Sequence, residues 1–181
     1  MGYRLSFITH QLSSDCELFE STLPPELFPD FDELWNLHPE FFPKIKIHGR
    51  EVPIPRWQQA YGTDYYFAAQ LSPALPTPAS LVPILDWSTR EIDARLNGLL
   101  LNWYDGSLGH YIGPHRDSTK NMAPDAPIVT VSLGETRIFR LSSVEGTDQL
   151  DIEAKNGTVL VMPQKTNRHW KHGVPKRASY T

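Results

Sequence analysis

The stretch QLDIEAKNGTVLVM, Gln149 to Met162, decides the fold class. Its first half alternates through Leu150, Ile152 and Ala154, the period of two expected of a strand with one buried face. Asn156-Gly157 then reads as a two-residue hairpin turn, because both residue types tolerate positive φ. Thr158–Met162 is almost continuously apolar, which predicts a strand buried on both faces. Upstream, Ile128–Leu133 and Thr136–Leu141 are further β-branched or aromatic runs, parted by Gly134. Gly98–Tyr104 is an apolar strand ending at Asp105-Gly106. The second half of the chain is therefore a succession of short strands.

The first half reads differently. Asp30-Phe31-Asp32-Glu33 is a capping pattern, predicting a short helix with Phe31, Leu34 and Trp35 inward. Lys44–Ile47 and Val52–Ile54 predict a hairpin tipped by His48-Gly49. Pro73, Pro76 and Pro78 mark a loop. Leu81, Ile84, Leu85, Ser88, Ile92 and Leu96 follow helical spacing, with Pro83 tolerable in the first turn. Helices followed by strands predict one α+β domain, mainly β, with a sandwich or barrel-like core. No repeat or linker divides residues 1–181.

Composition narrows the functional classes. Apolar residues make up 40% and aromatics 11%, which excludes a disordered chain. Cys16 is the single cysteine, so there is no disulfide framework and no CxxC zinc site, and a reducing compartment fits. No apolar run reaches the length of a membrane span, and the N-terminus lacks a signal-peptide core. Met1-Gly2 with Ser6 matches the short myristoylation pattern, for which an ordinary start is the simpler reading. A monomer in the cytoplasm, or in the nucleus of a eukaryote, is the expectation.

The net charge of −4 hides a split. Residues 15–40 carry acids and no Lys or Arg, whereas residues 165–177 carry Lys165, Arg168, Lys171, Lys176 and Arg177 and no acid. Local patches set the field, so an anionic partner such as nucleic acid is not excluded.

The segment GPHRDSTKN, Gly113 to Asn121, contains His115 and Asp117. On an extended segment, positions i and i+2 share a face, so imidazole and carboxylate can hold one cation. A third ligand must come from afar, and His169 and His172 are the candidates. They lie three apart, so a strand presents only one of them. Two His and one carboxylate leave three positions open on an octahedral metal, the set used by non-haem Fe(II) oxygenases. Taken alone, His-x-Asp more often marks a surface turn.

Four neighbouring motifs supply context. PRWQQAYG (55–62), LNWYDG (101–106), APIVTVSLGETRIFRL (126–141) and HWKHGVP (169–175) surround HRD in an order that closely resembles the AlkB family of Fe(II)/2-oxoglutarate-dependent dioxygenases. The resemblance covers roughly residues 45–175. It implies a double-stranded β-helix (jelly-roll) core with N-terminal helices packed on it. It implies His115, Asp117 and His172 as iron ligands, with His169 a non-ligand. Asn102 and Tyr104 match the N-x-Y that binds 2-oxoglutarate. Arg56, Tyr61 and the Tyr65-Tyr66-Phe67 cluster, Tyr66 foremost, match the substrate-facing lid. His48 matches a probing position. The implied cofactors are Fe(II), 2-oxoglutarate and O₂, and the implied reaction is oxidative demethylation of alkylated bases in DNA or RNA.

Two departures stand out. The family binds 2-oxoglutarate through arginines of an R-x-[NS]-x-T-x-R strand after the distal His. Arg177 follows His172 too closely to start it, so the expectation is a chain lacking that C-terminal strand. Two lost charged hydrogen bonds at roughly 1.5–3 kcal/mol each would weaken cosubstrate binding about a hundredfold or more. Ser118 and Thr119 stand where nucleic-acid-repairing relatives carry acids, which leaves a protein or small-molecule substrate open. The basic 165–177 segment also admits a nucleic-acid-binding protein without turnover, and a zinc-bound cupin-like hydrolase is the third alternative.

Overall fold

The computed structural model describes residues 5–67 and 70–176, without the side chains of Ile47 and Phe67. The Met1-Gly2 pattern, the Phe67 side chain and Arg177 lie outside that description. The chain opens with strands β1 (Ile8–Gln11) and β2 (Glu17–Thr22), a 3₁₀ turn (Pro25–Leu27) and helix α1 (Phe31–Trp35). Strands β3 (Lys44–Ile47), β4 (Arg50–Pro53), β5 (Trp57–Tyr61), β6 (Tyr65–Phe67), β7 (Gln70–Ser72) and β8 (Ala74–Leu75) precede helix α2 (Val82–Glu91). Then come β9 (Leu99–Trp103), β10 (Ile112–His115), β11 (Ile128–Val131), β12 (Arg137–Ser143), β13 (Gln149–Ala154) and β14 (Thr158–Met162). Helix α3 (Gln164–His169) leads into β15 (Trp170–Val174).

Two four-stranded sheets make the core, ordered β1-β2-β14-β11 and β10-β15-β12-β13. Their facing sides meet through Leu18, Leu160 and Met162 on one side and Phe139, Leu141, Ile152, Ala154 and Trp170 on the other. This is the jelly-roll core that the resemblance implied. Strand β14 is buried along its whole length, as its apolar run predicts. Leu160 and Met162 fill the space between the sheets, while Val159 and Val161 face outward under Leu34, Leu81, Ile84 and Trp87. Removing such a side chain from water contributes roughly 1.5–3 kcal/mol each, which is why the helices pack on this sheet.

The hairpin reading of Asn156-Gly157 is corrected. Strand β13 pairs with β12, whereas β14 pairs with β2 and β11 in the other sheet. The turn, closed by Thr158 N–H donating to the Lys155 carbonyl, is a corner between sheets. Turn chemistry sets only the local backbone. Partner choice follows from burial: β14 has two apolar faces and needs a central place, while β13 has one. Gly134 makes the matching corner between β11 and β12. The corners are tied together, since Gly134 N–H donates to Asn156 Oδ1 at 2.9 Å and Gly157 N–H to the Ser132 carbonyl at 2.7 Å.

Both corner glycines have positive φ, 88° at Gly134 and 83° at Gly157. A Cβ on Gly157 would also collide with the Phe28 ring. Left-handed strain and overpacking together predict that Gly157→Ala loses about 2–4 kcal/mol, read as a lower urea midpoint at unchanged slope.

The helices follow the sequence reading with two changes. Asp30 caps α1, its carboxylate accepting from Glu33 N–H at 2.9 Å. Leu34 is buried, but Phe31 is 46% exposed rather than inward and lies over Gly134. Helix α2 stops at Glu91, short of Leu96, and buries Trp87, which the apolar spacing had not included. The β3–β4 hairpin turns on His48 (φ 47°) and Gly49 (φ 79°), so β4 already begins at Arg50. Strands β8, β5 and β9 form a separate sheet that brings β9 toward the core cavity.

Candidate metal centre

Strand β10 ends at His115, which stands opposite His172 in the register with β15. Their rings lie 4.3 Å apart between centroids. Asp117 follows two residues later and faces both. Its Oδ1 is 3.5 Å from His115 Nε2 and its Oδ2 3.4 Å from His172 Nε2. Ligand atoms from the three residues all lie within 4.8 Å of one another, a group that could hold a metal ion. His169, exposed at the end of α3, is not in that group.

The surroundings suit a cation. His172 is buried, and the Phe139 ring stacks on it at 5.3 Å and 12°. Its Nδ1 is buried with no hydrogen-bond partner among the described residues. Burial pushes the His172 imidazole down to about 4, against a partial pull upward from Asp117, so Nε2 is a neutral donor at pH 7. Burial pushes the Asp117 carboxyl up, but the His115 hydrogen bond and the nearby imidazoles leave it net below its ordinary value. The neutral His172 imidazole and the ionised Asp117 carboxylate are in the protonation states that metal ligation needs. Tyr65 on β6 donates its phenol to Asp117 Oδ1 at 3.2 Å.

His115, Asp117 and His172 open into a cavity of about 910 Å³. Asn102 and Tyr104, at the end of β9, line it too. Arg56 is 3% exposed, donating Nε to Asn102 Oδ1 at 2.8 Å and Nη2 to Gln58 Oε1 at 2.9 Å. It therefore orients the Asn102 amide. Burial pushes the Tyr104 phenol up to about 12, so it stays a donor.

Among the remaining residues singled out from the sequence, Tyr66 lines the cavity, with the Lys120 ammonium 4.2 Å above its ring. Tyr61 does not: it is 3% exposed on the face of β5 opposite Gln58, which does line it. Alternation along the strand turns Tyr61 away. Ser118 reaches the cavity lining, and His48 is exposed at its hairpin tip. The acidic and basic segments meet, Lys165 pairing with Asp15 at 2.6 Å.

Sequence reasoning missed three contributors. Arg137 shares the inner face of β12 with Phe139, lines the cavity, and lies 5.7 Å from the Tyr104 ring centroid. Its Nη2 donates to the carbonyls of His110 and Pro175 at 3.1 and 3.0 Å. A charged residue at an inward position of an alternating strand was the available signal. Tyr65 lay within the aromatic run already noted, without a distinct role. Asn167, beside Asp117, carried no local signal at all.

The family model of the 2OG-Fe(II) oxygenase superfamily matches residues 51–181. DNA oxidative demethylase ALKBH2 of Mus musculus is 28% identical over 172 residues, covering 88% of this chain and 71% of that protein. The Homo sapiens ALKBH2 is 27% identical over 90% of this chain and 67% of its own length. The Arabidopsis thaliana ALKBH2 is 32% identical over 82% of this chain and 56% of its own length. The solved structure of OsALKBH1 superposes with a TM-score of 0.52 at 15% identity, over 93% of this chain and 88% of that one, a likeness of fold. Fe(II), 2-oxoglutarate and O₂ are the requirements of this superfamily, and the donor set of His115, Asp117 and His172 suits the metal. The chain belongs to the 2OG-Fe(II) oxygenase superfamily, as an AlkB-family Fe(II)/2-oxoglutarate-dependent dioxygenase.

Proposed function

We propose that this enzyme oxidatively demethylates alkylated bases in DNA. The observation that carries the reading is a His-Asp-His group opening into a cavity large enough for a base, in a chain similar to several DNA oxidative demethylases. His115, Asp117 and His172 are the iron ligands. Held by these three residues, Fe(II) would supply the oxidising chemistry, with 2-oxoglutarate and O₂ as co-reactants, for hydroxylation of an N-methyl C–H bond. The hydroxymethyl carbon would then depart as formaldehyde, and its hydroxyl proton would pass to the medium.

The protein's own residues position and insulate. Tyr65 holds the Asp117 carboxylate in place by donating to Oδ1. Asn102 and the protonated Tyr104 phenol would bind the cosubstrate carboxylates, and the Arg137 guanidinium lies beside the Tyr104 ring. Phe139 keeps water from His172. Tyr66 presents a ring on which a flipped base can stack, a contact worth roughly 1–3 kcal/mol. Arg56 acts at one remove, through Asn102.

The test is formaldehyde release and succinate formation from N-methylated single- and double-stranded DNA oligonucleotides, with methylated RNA alongside. DNA-dependent formaldehyde supports the reading. Succinate formed without formaldehyde from any oligonucleotide favours the second reading, a protein or small-molecule substrate, to which Ser118 in the cavity lining lends weight.

A further inference from the structure

We infer that Asn167 is a positioning residue for the metal centre, holding the backbone of Asp117 so that its carboxylate faces both histidines. The inference rests on the assignment of Asp117 as a metal ligand. Strand β10 ends at His115, and its ladder with β15 stops at the His115–His172 pair. Asp117 therefore lies beyond the sheet, where its N–H and carbonyl need other partners. Asn167 supplies both. Asp117 N–H donates to Asn167 Oδ1 at 3.0 Å, and Asn167 Nδ2 donates to the Asp117 carbonyl at 3.0 Å. One amide side chain thus continues the strand pairing past the point where main chain leaves off.

The amide suits this role because it carries an acceptor and a donor side by side, so each backbone group meets its own atom. Aspartate in its place keeps the acceptor and sets an oxygen against the Asp117 carbonyl.

Asn167 is itself fixed. It is 3% exposed on α3, and that helix is pinned at two points. Thr166 Oγ1 accepts from Glu17 N–H at 3.2 Å and donates to the Glu17 carbonyl at 2.7 Å. Gln164 Nε2 donates to the Ala123 carbonyl at 2.9 Å. The same helix runs directly into β15, which carries His172. Asn167 therefore references the Asp117 loop to the element that supplies the second histidine. The separation that matters for chelation, between Asp117 and His172, is set across this clamp. Arg116 Nη1 adds a solvent-exposed tie to the Arg168 carbonyl at 3.1 Å.

The experiment titrates Mn(II) into the metal-free full chain by calorimetry and measures the rise in melting temperature at saturating Mn(II). Asn167→Ala and Asn167→Asp are compared with wild type and with Asp117→Ala. Partners that orient ligands typically govern 10–100-fold in metal affinity. Asn167→Ala is expected to weaken Mn(II) by that factor and to shrink the metal-induced rise in melting temperature. A residue that merely stabilised the fold would lower the metal-free melting temperature and leave the Mn(II) affinity alone. Wild-type Mn(II) affinity in Asn167→Ala overturns the inference, provided Asp117→Ala has lost binding. Wild-type affinity in Asp117→Ala instead overturns the ligand assignment beneath it. If Asn167→Ala does not fold, Asn167→Asp, which retains one of the two bonds, decides by the same comparison.

Discussion

Asp117→Ala is expected to weaken Fe(II) binding more than a hundredfold and to reduce succinate formation to background. Among the described residues it is the Asp117 carboxylate that faces both imidazoles, at 3.5 Å from His115 and 3.4 Å from His172. Changing a residue that only orients a ligand typically costs 10–100-fold, and removing the ligand itself exceeds that. Two histidines with no negative partner also leave the divalent charge uncompensated in a low-dielectric site. Anaerobic titration with Fe(II), read by calorimetry alongside succinate release, checks it. An Asp117→Ala protein that binds Fe(II) as wild type does would remove Asp117 from the centre. His169→Ala, at the exposed end of α3, is the matching control and is expected to bind Fe(II) normally.

Acid should destabilise the metal-free protein through His172. Burial lowers this imidazole to about 4 from an ordinary 6.5. Between those values the unfolded chain binds the proton and the folded chain does not, so stability rises with pH across the window. The contribution is fully present above about pH 6.5 and is lost as pH falls through about 4. A shift of that size corresponds to about 3 kcal/mol over the whole window. Burial also lowers His110, with a smaller opposing pull from Asp105, and acts with the same sign. Asp117, net below its ordinary value, adds loss of stability only at lower pH. Urea unfolding at pH 7.5, 6 and 5 measures the slope, and His172→Gln isolates the His172 share. Equal slopes in the two proteins would show that His172 does not carry the effect.

The sequence by itself determined the succession of short strands, because the period of two in Gln149–Ala154 and the solid apolar run of Thr158–Met162 are local properties of side-chain alternation and burial. It also suggested the pairing of His115 with Asp117, since i and i+2 share a face on an extended segment, although β10 ends at His115 and Asn167 holds the Asp117 backbone beyond it. Motif order was enough to point to His172 rather than His169. The tertiary structure decided everything that depends on which strand lies beside which. It made Asn156-Gly157 a corner between sheets, because turn residues govern two dihedral pairs while burial of both faces of β14 governs its partners. It turned Tyr61 away from the cavity and Arg137 into it, since a face of a strand acquires a meaning only when a second layer covers it. It set the Tyr65 phenol and the Asn167 amide on Asp117 across 52 and 50 residues of chain. Hydrogen bonds of such separation have no periodicity to read, and exist only once the sheets have folded over one another.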